Sequence, residues 1–260
     1  MVLLAAAMIL FLMVTTSLVG ILVGLRPIRS KGAAGEKLVK KRLEDLNPEL
    51  YRVFHDLYLP RADGTGLTQV DHVVISRFGV FVLETKNYDG WIFGSTRQKM
   101  WTQSIFGRNR QFPNPLHQNY LHVQAVKVLL GLVDRKLHSL VFFVDGDFRT
   151  EMPDNVICSD LCGWIASHRV VMLDDAMLQE AILKVEELEK QTDRKAARVK
   201  HLQQLKERGR QGPRVTGERD LPGEIAEILP PPLPPSPWSA GRQDAPAAAG
   251  QRLVSRAGSA

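Results

Sequence analysis

Apolar and polar positions alternate most clearly from Gln69 to Lys86. There two apolar runs, Val70–Ser76 and Val80–Lys86, flank a tight turn at Arg77-Phe78-Gly79. β-Branched and aromatic residues dominate both runs, which predicts a hairpin. Side chains alternate across a strand, so Val80, Val82, Glu84 and Lys86 share one face while Phe81, Leu83 and Thr85 share the other. Asp71 lies on the face of Val73 and Ile75 in the first run. Upstream, the spacing of Glu36, Leu38, Val39, Leu43 and Leu46 predicts an amphipathic helix of about three turns that ends before Asn47-Pro48. Tyr51–Leu59 reads as a strand, Trp91–Gly94 as a short strand and Met100–Thr102 as its return. After the extended segment forced by Pro113 and Pro115, a helix begins near Leu116 and carries Leu121, Val123, Ala125, Val126, Val128, Leu129 and Leu132. Leu140–Val144 is a continuous apolar run, the pattern of a buried central strand. Val156–Cys158 and Val170–Met172 are further short strand candidates. From Asp174 to about Arg208 the pattern is helical and strongly charged, predicted to pack early and project into solvent late.

The two ends change the picture. Residues 1–25 carry no charged side chain and are almost wholly apolar, and Arg26, Arg29 and Lys31 follow directly. About 20 apolar residues cross a bilayer as a helix. The basic flank then predicts a single-pass membrane anchor with the bulk of the protein in the cytoplasm. A cleaved signal peptide is the alternative, but it would place its basic residues before the apolar core. Residues 209–260 hold nine of the fifteen prolines, including Pro230-Pro-Pro-Leu-Pro-Pro-Ser-Pro237, which predicts a disordered tail of polyproline II character. It could serve as an SH3-type ligand, although in a bacterial-style chain it reads as a tail. Cys158 and Cys162 are too few for a disulfide framework, suit a reducing compartment and read as buried thiols. A net charge of +6 is compatible with nucleic acid or an anionic membrane, but no block of basic residues appears.

The chemistry concentrates at the hairpin. In a hairpin this tight Asp71 can lie within a few ångströms of Glu84, and two adjacent carboxylates repel each other unless a cation neutralises them. Mg²⁺ and Mn²⁺ take oxygen ligands, and an adjacent lysine would supply positive charge where a phosphate develops negative charge. The alternative is a surface Glu84–Lys86 pair with a turn-proximal acid at Asp71. Glu36 either serves the helix dipole or points into the same site as a third carboxylate. Gln118 and His122 share a helix face, and either could reach a phosphate or a metal-bound water. Core packing is the other reading for His122, and His117 is no better supported.

Gly35-Glu36, Gln69-Val-Asp-His72, Gly79-Val-Phe-Val-Leu-Glu-Thr-Lys-Asn-Tyr88 with Gly90, Trp101, and Asn114-Pro-Leu-His-Gln-Asn119 follow one another in order over residues 32–135. In these motifs the chain resembles the nuclease-related domain (NERD) family, which is similar to the restriction-endonuclease-like PD-(D/E)xK nucleases. The resemblance implies an α/β fold with an αβββαβ core. It implies Asp71 and Glu84 as metal-binding acids, Lys86 as the motif lysine, Glu36 as the acid of the first helix and Gln118 as the polar residue of the later helix. The Thr85 carbonyl, between the two motif residues, can add a metal ligand.

The expected organisation is an anchor at 1–25, a basic flank at 26–31, a nuclease-like domain at 32–172, a charged helix at 173–208 and the tail at 209–260. The expected function is a membrane-anchored, Mg²⁺- or Mn²⁺-dependent nuclease acting on DNA rather than RNA. A non-catalytic membrane-tethered nucleic-acid-binding or scaffold module is the alternative. Cutting both strands of a duplex would call for a homodimer.

Overall fold

The structure, a computed structural model, describes residues 28–211. The expected anchor at 1–25 and the tail beyond residue 211 lie outside the described residues. Among the described residues no helix is long and apolar enough to cross a membrane.

The fold is mixed α/β with two sheets. Helix α1 (Ile28–Leu43) precedes strands β1 (Arg52–Pro60), β2 (Leu67–Ser76) and β3 (Gly79–Lys86). A second group follows: β4 (Gly90–Phe93), β5 (Met100–Ile105) and β6 (Arg108–Pro113). Helix α2 (Pro115–Leu130) leads to β7 (Leu137–Phe143), β8 (Gly146–Phe148) and β9 (Val156–Ile157), and then come α3 (Leu161–Ser167), α4 (Asp175–Gln191) and α5 (Arg194–Gln211). The main sheet has five strands in the order β1-β2-β3-β7-β9, and a smaller sheet has four in the order β6-β5-β4-β8. The β1–β2 and β2–β3 pairs are antiparallel, whereas β7 runs parallel to β3.

β3 lies in the middle of the main sheet, which explains its unbroken apolar run. One face of the sheet buries Val73, Ile75, Val80 and Val82 against Ala125 and Val126 of α2 and Ala181 and Val185 of α4. The other buries Val74, Phe81 and Leu83 against Val39 and Leu43 of α1 and Ile165 of α3. The small sheet packs Ile92, Trp101 and Phe112 on Leu116 and Phe143.

Two asparagines fix α2. The Asn114 side chain accepts the Leu116 N–H, capping the helix, and its amide donates to Gln98 O at 2.8 Å. Asn119 is fully buried and donates to Val82 O and Ser139 Oγ, both at 2.9 Å, which pins the helix over the β3–β7 seam.

Three expectations are corrected. Val170–Met172 is not a strand: it joins no sheet, Val170 and Val171 are exposed, and its end is tied by Met172 and Leu173 N–H donating to the Arg77 carbonyl. The charged segment is two helices. The second does not project into solvent along its whole length, because Gln204 accepts the Leu67 N–H at 2.9 Å and holds α5 against β2. Cys158 and Cys162, expected as buried thiols, are only partly buried.

His55 and His72 face each other across β1 and β2, with Nδ1 atoms 2.8 Å apart. Burial lowers the pKa of His55 from 6.5 to about 4 and that of His72 to about 3, helped by Lys40 beside both and by the neighbouring imidazole at His72. The unfolded chain therefore binds more protons below pH 6.5, and stability falls from there as pH drops towards the folded-state values. Urea unfolding should show this loss between neutral pH and about pH 5, and His55→Gln should flatten it. Asn119→Ala should cost about 2 kcal/mol in the same assay, because it strips donors from a buried seam.

Candidate active site

The β2–β3 ladder runs from Ser76↔Gly79 to His72↔Leu83 and stops one pair short of Asp71 and Glu84. Beyond that point the Thr85 N–H donates to Asp71 Oδ2 at 2.9 Å. A side-chain carboxylate thus takes the place of a ladder carbonyl, and the two strands fork. On its other side β3 stays paired with β7 as far as Lys86↔Phe143, so the forked end is held by one neighbour. β1 breaks at the same level: no partner is paired with Asp56, which lies between His55↔His72 and Leu57↔Val70 and adopts a φ of 54°. The register is otherwise unbroken, so Asp56 sits opposite Asp71 across the two strands. Gln69 donates to Asp56 Oδ1 at 2.8 Å.

Glu84 is only 2% exposed in the central strand. An isolated buried carboxylate is costly, so it needs cationic or donor partners. Lys86 Nζ lies 2.5 Å from Glu84 Oε1 and also donates to Gln118 Oε1 at 2.8 Å. His122 Nδ1 lies 3.2 Å from Glu84 Oε2. Gln118 and His122 are one turn apart on α2, so the helix places both over the end of β3. Burial works to raise the Glu84 pKa, but Lys86 and His122 outweigh it and hold the group at about 2. Burial works to lower the Lys86 pKa, but the Glu84 carboxylate reverses this and raises it.

The other acids are pushed the opposite way. Burial, with Glu84 and Glu36 close by, raises the Asp71 pKa well above the usual range. Burial, with Asp56 and Glu84 close by, raises that of Glu36. α1 reaches this position because Gly35 allows close approach: a Cβ there would lie 2.6 Å from Asn87 Cβ. The Asn87 amide donates to Lys31 O at 2.7 Å, fastening the helix beside the end of β3.

Lys86 thus meets Glu84 and Gln118, while Asp71 stands across the fork bonded to the Thr85 N–H, with Glu36 in their field. Thr85 contributes its backbone N–H to Asp71, and its hydroxyl is buried without a hydrogen-bond partner. His117 lies elsewhere, its Nε2 3.2 Å from Thr96 O. His122 is both a buried core residue and a partner of Glu84. Asp56 was missed, although two consecutive polar residues, His55 and Asp56, break the alternation of an otherwise apolar strand and signal an irregularity. Arg198 of α5, whose charge lowers the Glu36 pKa, had no local signal because it arrives from a distant helix.

The donor chemistry suits a hard divalent cation: three carboxylates, of which Asp71 and Glu36 are disfavoured in their charged form by burial and by Glu84. Glu84 Oε2 is buried without a well-directed hydrogen-bond donor. Among the described residues, however, no three His, Cys, Asp or Glu side chains are grouped closely enough to hold an ion. The carboxylates surround the fork without meeting at one point.

Residues 31–144 match the family model of the nuclease-related domain (NERD). Over 100 residues, 38% of this chain, the sequence is 51% identical to an uncharacterized protein of Bacillus anthracis. The chain spans about half the length of that relative, 47%. No solved structure gives a significant match.

Asp71→Asn should raise stability in the presence of chelator by about 1 kcal/mol, because the amide keeps an acceptor for the Thr85 N–H, buries no charge and removes the repulsion from Glu84 and Glu36. Thermal unfolding with and without Mn²⁺ measures this; a lower melting temperature in the chelated variant would mark Asp71 as a structural acid.

Proposed function

We propose that the protein is a divalent-metal-dependent nuclease that hydrolyses phosphodiester bonds in DNA and is held at the cytoplasmic face of a membrane by residues 1–25. The observation that carries the reading is the Lys86 ammonium, poised between Glu84 and Gln118 beside the Asp71 fork. The match of residues 31–144 to the nuclease-related domain supports a nuclease-related role for this site. The passage of the chain through helix, three strands, helix and strand in the main sheet supports a restriction-endonuclease-like core. The charge-free run followed by Arg26, Arg29 and Lys31 supports the anchor.

Asp71 and Glu84, with Glu36 and the Thr85 carbonyl, would hold Mg²⁺ or Mn²⁺. A bound ion would polarise the phosphate and lower the pKa of water. Lys86 stabilises the charge developing on the phosphate oxygens as a water oxygen bonds to phosphorus and a bridging P–O bond breaks. Gln118 orients the Lys86 ammonium through its own Oε1. His122 steadies the Glu84 carboxylate from the opposite side.

A second reading, a tethered nucleic-acid-binding module without turnover, is favoured by Lys86 itself. Its ammonium is already engaged by Glu84 and Gln118, as a purely structural lysine would be. Cleavage assays with linear duplex, single-stranded and branched DNA and with RNA separate the two. Lys86→Ala should lower metal-dependent cleavage about a hundredfold or more. That variant should also be less stable, since a buried Glu84 loses its cation. Adding Glu84→Gln should restore stability without restoring cleavage. Full activity in Lys86→Ala would refute the nuclease assignment.

A further inference from the structure

The small sheet carries a feature that the hydrolytic site does not use. β5 and β6 form a hairpin whose two-residue turn is Phe106-Gly107, between Ile105 and Arg108. Phe106 has a φ of 49° and Gly107 a φ of 76°, the left-handed pair of a type I′ turn. Asparagine is the residue that fits the first of these positions at least cost, and a bulky aromatic there is strained. Phe106 is nevertheless present, and its side chain is fully exposed, buried against nothing. Neither turn geometry nor packing accounts for it, and unexplained strain of this kind marks functional positions.

Its surroundings are basic. Arg108 pairs across the hairpin with Ile105, and Arg110 with Gln103, so both arginines share the face of Gln103. That face is directed at the site's own polypeptide: the Gln103 amide donates 2.8 Å to the carbonyl of Asp89, three residues beyond Lys86. The tip also stays close to this segment, because a Cβ on Gly90 would lie 2.6 Å from Ser104 O and 2.9 Å from Ile105 Cγ1. Both arginines are exposed, and among the described residues neither forms an ion pair. Two unpaired guanidinium groups complement a phosphodiester backbone, and an exposed ring beside them complements the π-face of an unstacked base. Within a duplex the bases are already stacked, so this combination favours a single strand.

We infer that the β5–β6 hairpin tip binds single-stranded nucleic acid beside the hydrolytic site, with Phe106 stacking on a base and Arg108 and Arg110 engaging the flanking phosphates. The inference rests on the nuclease reading for the identity of the polymer and adds the strand state that the site receives.

Binding of the full chain to a labelled single-stranded oligonucleotide, and to a duplex of the same sequence, is measured in chelator so that no cleavage intervenes. Phe106→Asn is the informative variant, because asparagine suits the turn and the melting temperature should hold or rise. It should weaken single-strand binding about tenfold, whereas Phe106→Trp should retain it. Replacing Arg108 and Arg110 together with alanine should lower the slope of log affinity against log salt by about 0.7 per residue. Unchanged single-strand affinity in Phe106→Asn overturns the inference. So does a preference for duplex that Phe106→Asn leaves intact. So does binding to vesicles of equimolar phosphatidylcholine and phosphatidylserine that depends on Phe106 while oligonucleotide binding does not. Mg²⁺- or Mn²⁺-dependent cleavage by the wild-type chain, compared with Lys86→Ala, keeps the two claims apart. Cutting with an inert Phe106 removes the hairpin inference alone, and Phe106-dependent binding without cutting removes the chemistry alone.

Discussion

The ionised carboxylate of Glu84, buried in the central strand of the main sheet, is the constraint on which the rest of this structure depends. A charge in that position costs several kcal/mol unless it is matched. The match comes from Lys86, two residues along the same strand face, with His122, from the helix laid across that face, 3.2 Å from the second carboxylate oxygen. The helix must therefore stand at a fixed height over the strand, and Asn114 and Asn119 fix it there, one as a cap and the other as a cross-link to two strands. Gly35 and Asn87 do the same for α1 on the side of Glu36. The residues that looked like a catalytic motif and those that looked like packing belong to one electrostatic arrangement.

That arrangement also sets the acids against each other. Glu84 is stabilised in its charged form, whereas Asp71 and Glu36 are pushed towards their neutral forms by burial and by their neighbours. Carboxylates whose pKa values are displaced in opposite directions by burial and by one another cluster at functional sites. A fold selected for stability alone would place apolar side chains here.

Much of this was legible in the sequence because the information was local. Alternation gave the hairpin and the faces of Glu84, Lys86 and Asp71, and helical spacing put Gln118 and His122 together. The misses have physical causes. Val170 and Val171 have strand propensity but no sheet edge to join, and propensity without a partner makes no strand. β6 is mostly polar and exposed, so its pairing with β5 left no apolar trace. α5 docks through single polar contacts such as Gln204 to Leu67, which periodicity cannot register. The role of His122 was undecided because a buried histidine and a site histidine share the same helix positions. Only the identity of the group opposite, Glu84, distinguishes them.

The β2–β3 hairpin is fastened at its turn, where the Arg77 carbonyl receives two N–H groups from the Met172–Leu173 segment, and open at the other end, where the ladder stops before Asp71 and Glu84. It is built like a pair of tweezers. Its arms are braced from outside, β2 by β1 through Leu57↔Val70 and β3 by β7 through Lys86↔Phe143, and the Asp71 carboxylate clasps the Thr85 N–H across the gap. The separation of the two acids is thus set by the outer strands and one side-chain clasp, so the gap between the charges is held open by the scaffold and not by the hairpin's own ladder.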